Sequence, residues 1–408
     1  MSRWGLTGFT AVTPENKIKN ANLIINEDKI EKITKERINT QILLDIESGV
    51  LAPGLINGHD HLLGTYYPKV GNGPYENWLP WDNDLKSSPI YEERQQIENR
   101  DLYLLGGYRN LISGVTQVSD HIPHFVQESF INIVPTKIIS RYSLAHSIAS
   151  FALAWGDSVE VEYKKAIHDD IPFITHIAEG FDAETKQDIK TLDRKGGLGD
   201  HSVLVHGLAF TDEDIELIKK RGASVIWCAD SNMFMFNRTA NIKKLLETGV
   251  NVCIGTDSPM SGGENLLYEM RFDKDLYKKF YNRSLPDDLI VKMVTMNPAK
   301  AFRLNDAGQI RPGYVADFVV FSEKKENPYE SIVSARLRDV LLVVIDGKPA
   351  YGDRKYKYIF EALKIKHQNV TVDGMEKIII GDLKGLTERI NKAVGFQKKF
   401  PFLPVEFD

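Results

Sequence analysis

Cysteine is almost missing from this chain: Cys228 and Cys253 are the only two in 408 residues. A disulfide-stapled scaffold is thereby excluded. Both thiols fall in apolar, strand-like runs, where buried structural thiols are expected. No apolar run approaches the roughly 18 residues that a membrane span needs. The opening Met1-Ser2-Arg3-Trp4-Gly5 leads into polar sequence and not into the apolar core of a signal peptide. There is no excess of positive charge either, the net charge being −5, so the electrostatic footprint of a nucleic-acid binder is absent. These absences leave a cytoplasmic protein as the expectation, with neither membrane nor nucleic acid among its partners. What is present is an ordinary globular balance, 42% apolar and 26% charged. The length suffices for one large domain plus a smaller one.

The sequence predicts a change of rhythm near residue 51. Before it, Gly8-Phe9-Thr10-Ala11-Val12, Ala21-Asn22-Leu23-Ile24-Ile25 and Lys29-Ile30-Glu31-Lys32-Ile33 are short β-segments separated by polar turns, as in a small antiparallel sheet. After it, seven strand-like runs (50–58, 114–120, 137–143, 171–176, 202–206, 223–228 and 250–256) alternate with helical patterns. One helix is well marked: Thr211-Asp212-Glu213-Asp214 opens it like a capping box with Asp in place of Glu, and Gly222 closes it. Alternating strands and helices argue for a parallel sheet, open or closed into a (β/α)8 barrel. Residues 286–302 read as helical. Strands then return at 317–321 and 340–345, with Asp346-Gly347 as a hairpin turn. The expected architecture is α/β: a (β/α)8 TIM-like barrel over 51–309, and a small β-sandwich domain built from both chain ends, 1–50 plus 310–364. Residues 365–408 read as an appended segment with a helix at 383–394.

Chemistry concentrates at the ends of the strand-like runs. Pro53-Gly54-Leu55-Ile56-Asn57-Gly58-His59-Asp60-His61 places two histidines at i and i+2, which on a strand share one face and can converge on a metal. His176 ends a second run, and Glu179 follows it by three residues; His206 and Asp257 end two more. In a parallel barrel these ends form one mouth. A lone strand-end histidine is usually a packed residue, but six ionisable side chains at strand ends point to a shared metal site.

In these residues the chain resembles the amidohydrolase superfamily, in its branch of cytosine-deaminase-like, triazine-hydrolase-like and adenosyl-compound deaminases. The motifs are the His-x-His run, His176-Ile177-Ala178-Glu179, His206-Gly207, Gly255-Thr256-Asp257, and the re-entry Gly308-Gln309-Ile310-Arg311-Pro312-Gly313-Tyr314-Val315-Ala316-Asp317. The resemblance implies one divalent metal per chain, zinc ahead of iron, held by His59, His61, His176 and Asp257. It implies that Glu179 shuttles a proton, that His206 orients the substituent of the attacked carbon, and that Asp257 also accepts the proton of water. Lys137, the one nearby candidate for the carboxylated lysine of binuclear relatives, falls at the start of its strand, on the wrong face, which favours a single metal. The implied reaction is hydrolysis of a C–N bond, foremost the deamination of an amino-substituted heterocycle. The same residues would serve ring opening of a cyclic amide or loss of a triazine substituent. A non-catalytic scaffold relative would have lost ligands, and here none is lost. Homodimers or tetramers are also implied.

Further candidates for substrate binding are Tyr66, Trp78 and Trp81 in a Gly/Pro-rich segment, an aromatic lid over a flat ring. His121 follows another strand end, Arg141 and His146 flank the strand within the stretch 121–171, and Asn232 lies beyond the run 223–228. For each of these, ordinary packing is the competing reading.

Overall fold

The computed structural model describes residues 3–407. Ten antiparallel and parallel strands from both ends of the chain lie on one path, in the order Val405–Glu406, His367–Val372, Met375–Ile380, Lys348–Asp353, Val340–Ile345, Phe318–Phe321, Val50–Pro53, Arg3–Val12, Lys17–Asn26 and Lys29–Thr34. Ile42–Asp45 pairs with Arg3–Val12 as the eleventh. The strands of this β domain from both chain ends form one continuous ladder, because Met375–Ile380 extends the edge at Lys348–Asp353. Residues 365–408 supply three of its strands. The apolar run Phe318-Val319-Val320-Phe321 shows why both faces are buried. Val319 and Phe321 pack with Leu55, Leu111 and Val115, whereas Phe318 and Val320 pack with Leu6, Leu23 and Phe360. Alternation of apolar with apolar leaves no wet face. The Asp346-Gly347 hairpin forms as read, with both residues at positive φ, +48° and +71°, the geometry that two-residue turn requires.

The rest of the strands are parallel and carry the predicted site. Leu55–Asp60, Val115–Asp120 and Lys137–Ile138 form one sheet; Ser143–Leu144, Phe173–Ile177, Ser202–His206, Ser224–Trp227 and Asn251–Ile254 form another. Helices alternate with them, so the architecture is mixed α/β with parallel sheets beside a β domain. Two sequence readings are corrected. The run 50–58 is two strands in two sheets, divided at Gly54, whose backbone N–H donates to Asp317 O at 2.9 Å; a Cβ there would collide with Thr116. The run 137–143 is also two strands, each of two residues and in different sheets. It therefore supplies the eighth parallel strand that the sequence does not show.

The two arcs meet at the His-x-His strand. Thr256 and Asp257 both donate backbone N–H groups to His59 O, at 2.9 and 3.1 Å. A Cβ at Gly255 would lie 2.7 Å from His59 N, so only glycine permits this approach. The helix Asp212–Arg221 has its capping box between Thr211 and Asp214 and ends at Gly222 with φ +81°. The helix Leu383–Val394 also forms.

Candidate metal centre

His59 lies in the strand Leu55–Asp60 and His61 just beyond it. Strand geometry sends both rings the same way, and their centroids are 4.8 Å apart. His176 sits in Phe173–Ile177, His206 ends Ser202–His206, and Asp257 follows Asn251–Ile254 by three residues. Their donor atoms converge. His59 Nε2 is 3.2 Å and His61 Nε2 3.4 Å from Asp257 Oδ1, and His176 Nε2 is 3.3 Å from His59 Nε2. A tetrahedral ion with bonds of about 2.0–2.1 Å has donors about 3.3 Å apart. Each of these spacings fits donors to a shared divalent cation; the donors form two groups joined at His59, one with His61 and Asp257 and one with His121 and His176, and imidazole with carboxylate suits zinc or iron.

The remaining contacts orient these donors. His176 Nδ1 donates to His146 O at 2.8 Å. Asp257 Oδ2 accepts from Ser231 Oγ at 2.5 Å and Ser261 Oγ at 2.9 Å, leaving Oδ1 to the histidines. Such outer partners fix which atom a ligand presents. His206 and Asp257 are held at positive φ, +77° and +54°, a costly conformation for side-chain-bearing residues that a surrounding site must enforce.

Burial and neighbouring charge set the proton affinities. Burial, then the neighbouring histidines His121 and His59, holds His176 well below the usual imidazole range. Burial pulls upward on Asp257, but hydrogen bonding to His59 and His61 outweighs it and keeps the carboxyl well below its ordinary value. Glu179 is pushed well above the usual carboxyl range by burial and then by Asp257 and Asp188. His206 falls to about 4, chiefly by burial. Its Nδ1 lies 3.1 Å from Asn232 Oδ1, an acceptor, so Nδ1 carries the proton. Nε2 is then a bare acceptor, 3.5 Å from Glu179 Oε1.

A cavity of about 320 Å3 opens over these groups. Trp78, Trp81 and His146 line it, as do Tyr67, Tyr91, Arg94 and Trp155; His61, His176, Glu179, His206 and Asp257 form its floor. Four candidates lie elsewhere. Tyr66 is buried beside it with its hydroxyl on Glu93 and its ring against Phe400, lining a neighbouring cavity of about 490 Å3. Arg141 is exposed, donates to Asp169 O at 3.2 Å, and lines a third cavity with Lys137 at the opposite ends of the strands. Asn232 stands behind His206, and His121 is buried below the cavity wall. Lys137 is paired with Asp317 and Asp346, away from the site.

Sequence reading also missed participants. Ser231 and Ser261 hold Asp257, and nothing in the sequence marks them. Asp60 was legible in principle: in a strand it must point away from its two histidine neighbours, into the interior, where a carboxylate needs a cation. Arg109 supplies it.

Residues 153–350 match the amidohydrolase family model. The 5-methylthioadenosine/S-adenosylhomocysteine deaminase of Pyrococcus furiosus is 25% identical over 415 residues, covering 87% of this chain and 96% of that protein. The 5′-deoxyadenosine deaminase of Methanosarcina barkeri is 25% identical, covering 89% and 94%. Among solved structures, atrazine chlorohydrolase from Arthrobacter aurescens TC1, complexed with zinc, superposes with a TM-score of 0.79 at 16% identity, over 96% of this chain and all of that one. Matched family segment, relatives aligned over nearly their whole length and shared fold agree with the strand-end donors: the chain is similar to the amidohydrolases over most of its length.

Proposed function

We propose that this protein is a metal-dependent hydrolase that deaminates an amino-substituted heterocycle. One observation carries the reading: the carboxyl of Glu179, protonated by its burial, faces the bare Nε2 of His206 beside the donor groups that meet at His59, inside a cavity walled by tryptophans. The two deaminase relatives, aligned over nearly their whole length, support the reaction type.

His59, His61, His176 and Asp257 would hold one divalent cation, zinc ahead of iron. Bound there, the cation supplies Lewis acidity and a water that is nucleophilic near neutral pH. Trp78, Trp81 and Trp155 sandwich a flat ring and exclude solvent. Glu179 gives its own proton to the ring nitrogen, then takes one from the attacking water and passes it to the amino group. The water oxygen bonds to the amino-bearing carbon, the C–N bond breaks, ammonia leaves and a ring carbonyl remains. Asp257, kept ionised, accepts the second proton of water and returns it to Glu179, which restores both carboxyl groups. His206, oriented by Asn232, accepts from an N–H of the substrate and aligns the attacked carbon.

The same reading takes the eight parallel strands as a closed (β/α)8 barrel over 51–309, sealed where His59 O accepts from Thr256 and Asp257. The β domain is then 1–50 plus 310–364, with 365–408 joined to its edge. Free, buried Cys228 and Cys253 suit a reducing, cytoplasmic setting.

The test is ammonia release by purified protein with its metal counted, across amino-substituted purines, pyrimidines, pterins and triazines. Release that disappears in His59→Ala supports the deaminase. Metal-loaded protein that turns over a substrate without releasing ammonia overturns deamination; protein that takes up no metal overturns the site.

A further inference from the structure

Six of the ten histidines crowd this centre: His59, His61, His121, His146, His176 and His206. The reading above gives no work to His121. It follows directly on the strand Val115–Asp120, and its backbone N–H donates to Asp60 O at 3.1 Å, which seats it beside the His-x-His run. The side chain is wholly buried and outside the cavity wall, so substrate does not reach it. Its ring centroid lies 4.5 Å from that of His176 and 5.7 Å from that of His59.

The hydrogen bonding of His121 fixes its tautomer. Nε2 is 3.2 Å from Ala145 O. A carbonyl only accepts, so Nε2 carries the proton and Nδ1 is a bare lone pair. That Nδ1 is buried and has no hydrogen-bond partner. His176 shows the same device with the nitrogens exchanged: Nδ1 donates to His146 O, leaving Nε2 for a cation. Two consecutive carbonyls, Ala145 and His146, thus prepare two imidazoles in the manner of metal-ligating histidines. One donor atom from each of His59, His121 and His176 lies within 4.8 Å of the others.

We propose that His121 Nδ1 is a fifth donor to the ion held by His59, His61, His176 and Asp257, which makes this a four-imidazole, one-carboxylate centre. Donors to one ion with bonds of about 2.1 Å are at most about 4.2 Å apart, so the His121–His176 pair and the His61–Asp257 pair, joined at His59, must draw together when the ion binds. The inference rests on the four-donor reading, and its test separates the two.

Zinc-loaded full-length protein is measured by zinc K-edge X-ray absorption, with metal content and chelator competition determined alongside, for wild type, His121→Ala and His121→Gln. The expected result is one zinc per chain, four imidazole ligands in wild type, three in the variants, and zinc affinity lowered at least tenfold, within the 10–100-fold range that even outer-shell partners command. Three imidazoles in wild type with unchanged variant spectra overturn the role of His121 and leave the four-donor site standing. Two zinc ions per chain overturn the single five-donor ion. Wild type that binds no zinc overturns the four-donor reading itself. If His121→Ala loses its circular dichroism, the wild-type imidazole count and the Gln variant decide.

Discussion

Asp60 stands between His59 and His61, the first two donors of the proposed site, and turns away from both. Its Oδ1 accepts the His61 backbone N–H at 2.9 Å, and its Oδ2 accepts from Asn110 at 2.9 Å and from Arg109. The ion pair is fully buried. Removing one partner of such a pair strands a charge, at a cost of about 3–5 kcal/mol. Arg109→Met is therefore expected to lower the free energy of unfolding by that amount in denaturant titrations, and to weaken metal retention because the His-x-His strand loses its anchor. Glu179→Gln acts differently. It removes the proton carrier while keeping size and hydrogen-bond capacity, so kcat should fall about 100- to 10,000-fold. KM and metal content should stay near wild type. Loss of metal in Glu179→Gln would instead mark Glu179 as a ligand.

The short helix Pro89–Gln95 contributes Tyr91, Arg94 and Gln95 to the cavity wall, and it is held from outside. Glu93 on that helix bonds the Lys398 ammonium at 2.6 Å and the Tyr66 hydroxyl, and Lys398 lies 4.5 Å from the Tyr66 ring centroid. The chain end thus braces a wall of the site from some 300 residues away in sequence. Lys398→Met removes a half-buried ion pair worth up to about 1 kcal/mol. A rise in KM of up to about fivefold is the expected outcome, with kcat unchanged and function restored by Lys398→Arg; steady-state kinetics on the three proteins checks it. None of this bracing is legible in the sequence, because the contacts are long-range and Lys398 sits in an ordinary charged run. The opposite holds for His59, His61, His176, His206 and Asp257, where apolar runs ending in metal-type residues leave a local signature. Between 121 and 171 that signature fails. Strands of two residues are too short to show any period, so Arg141, read as flanking a single strand, falls at the far face.

Seen as a whole, the molecule stores uncompensated acid behind its site. The helix Leu266–Tyr281 carries Glu269 and Asp273, both wholly buried. Neither oxygen of Asp273 has a hydrogen-bond partner. Glu269 Oε1 accepts the N–H of Asp230, whose neighbour Ser231 holds Asp257, so the acids abut the support of the centre. Burial, then Glu269 and Asp230, pushes Asp273 well above the usual carboxyl range, so the folded chain keeps a proton that the unfolded chain releases above about pH 4. When the folded state binds the extra proton, stability falls as pH rises, by about 1.4 kcal/mol per unit. The fall runs from near the unfolded value up to the folded one and stops there. Asp273→Asn keeps the shape and has no proton to lose, so its stability should not carry this slope. Denaturant titrations at pH 5 and pH 8 are expected to show the variant gaining on wild type as pH rises. A constant difference between the two across that range would show that Asp273 is already ionised in the folded protein, with a cation or water supplying the partner it lacks.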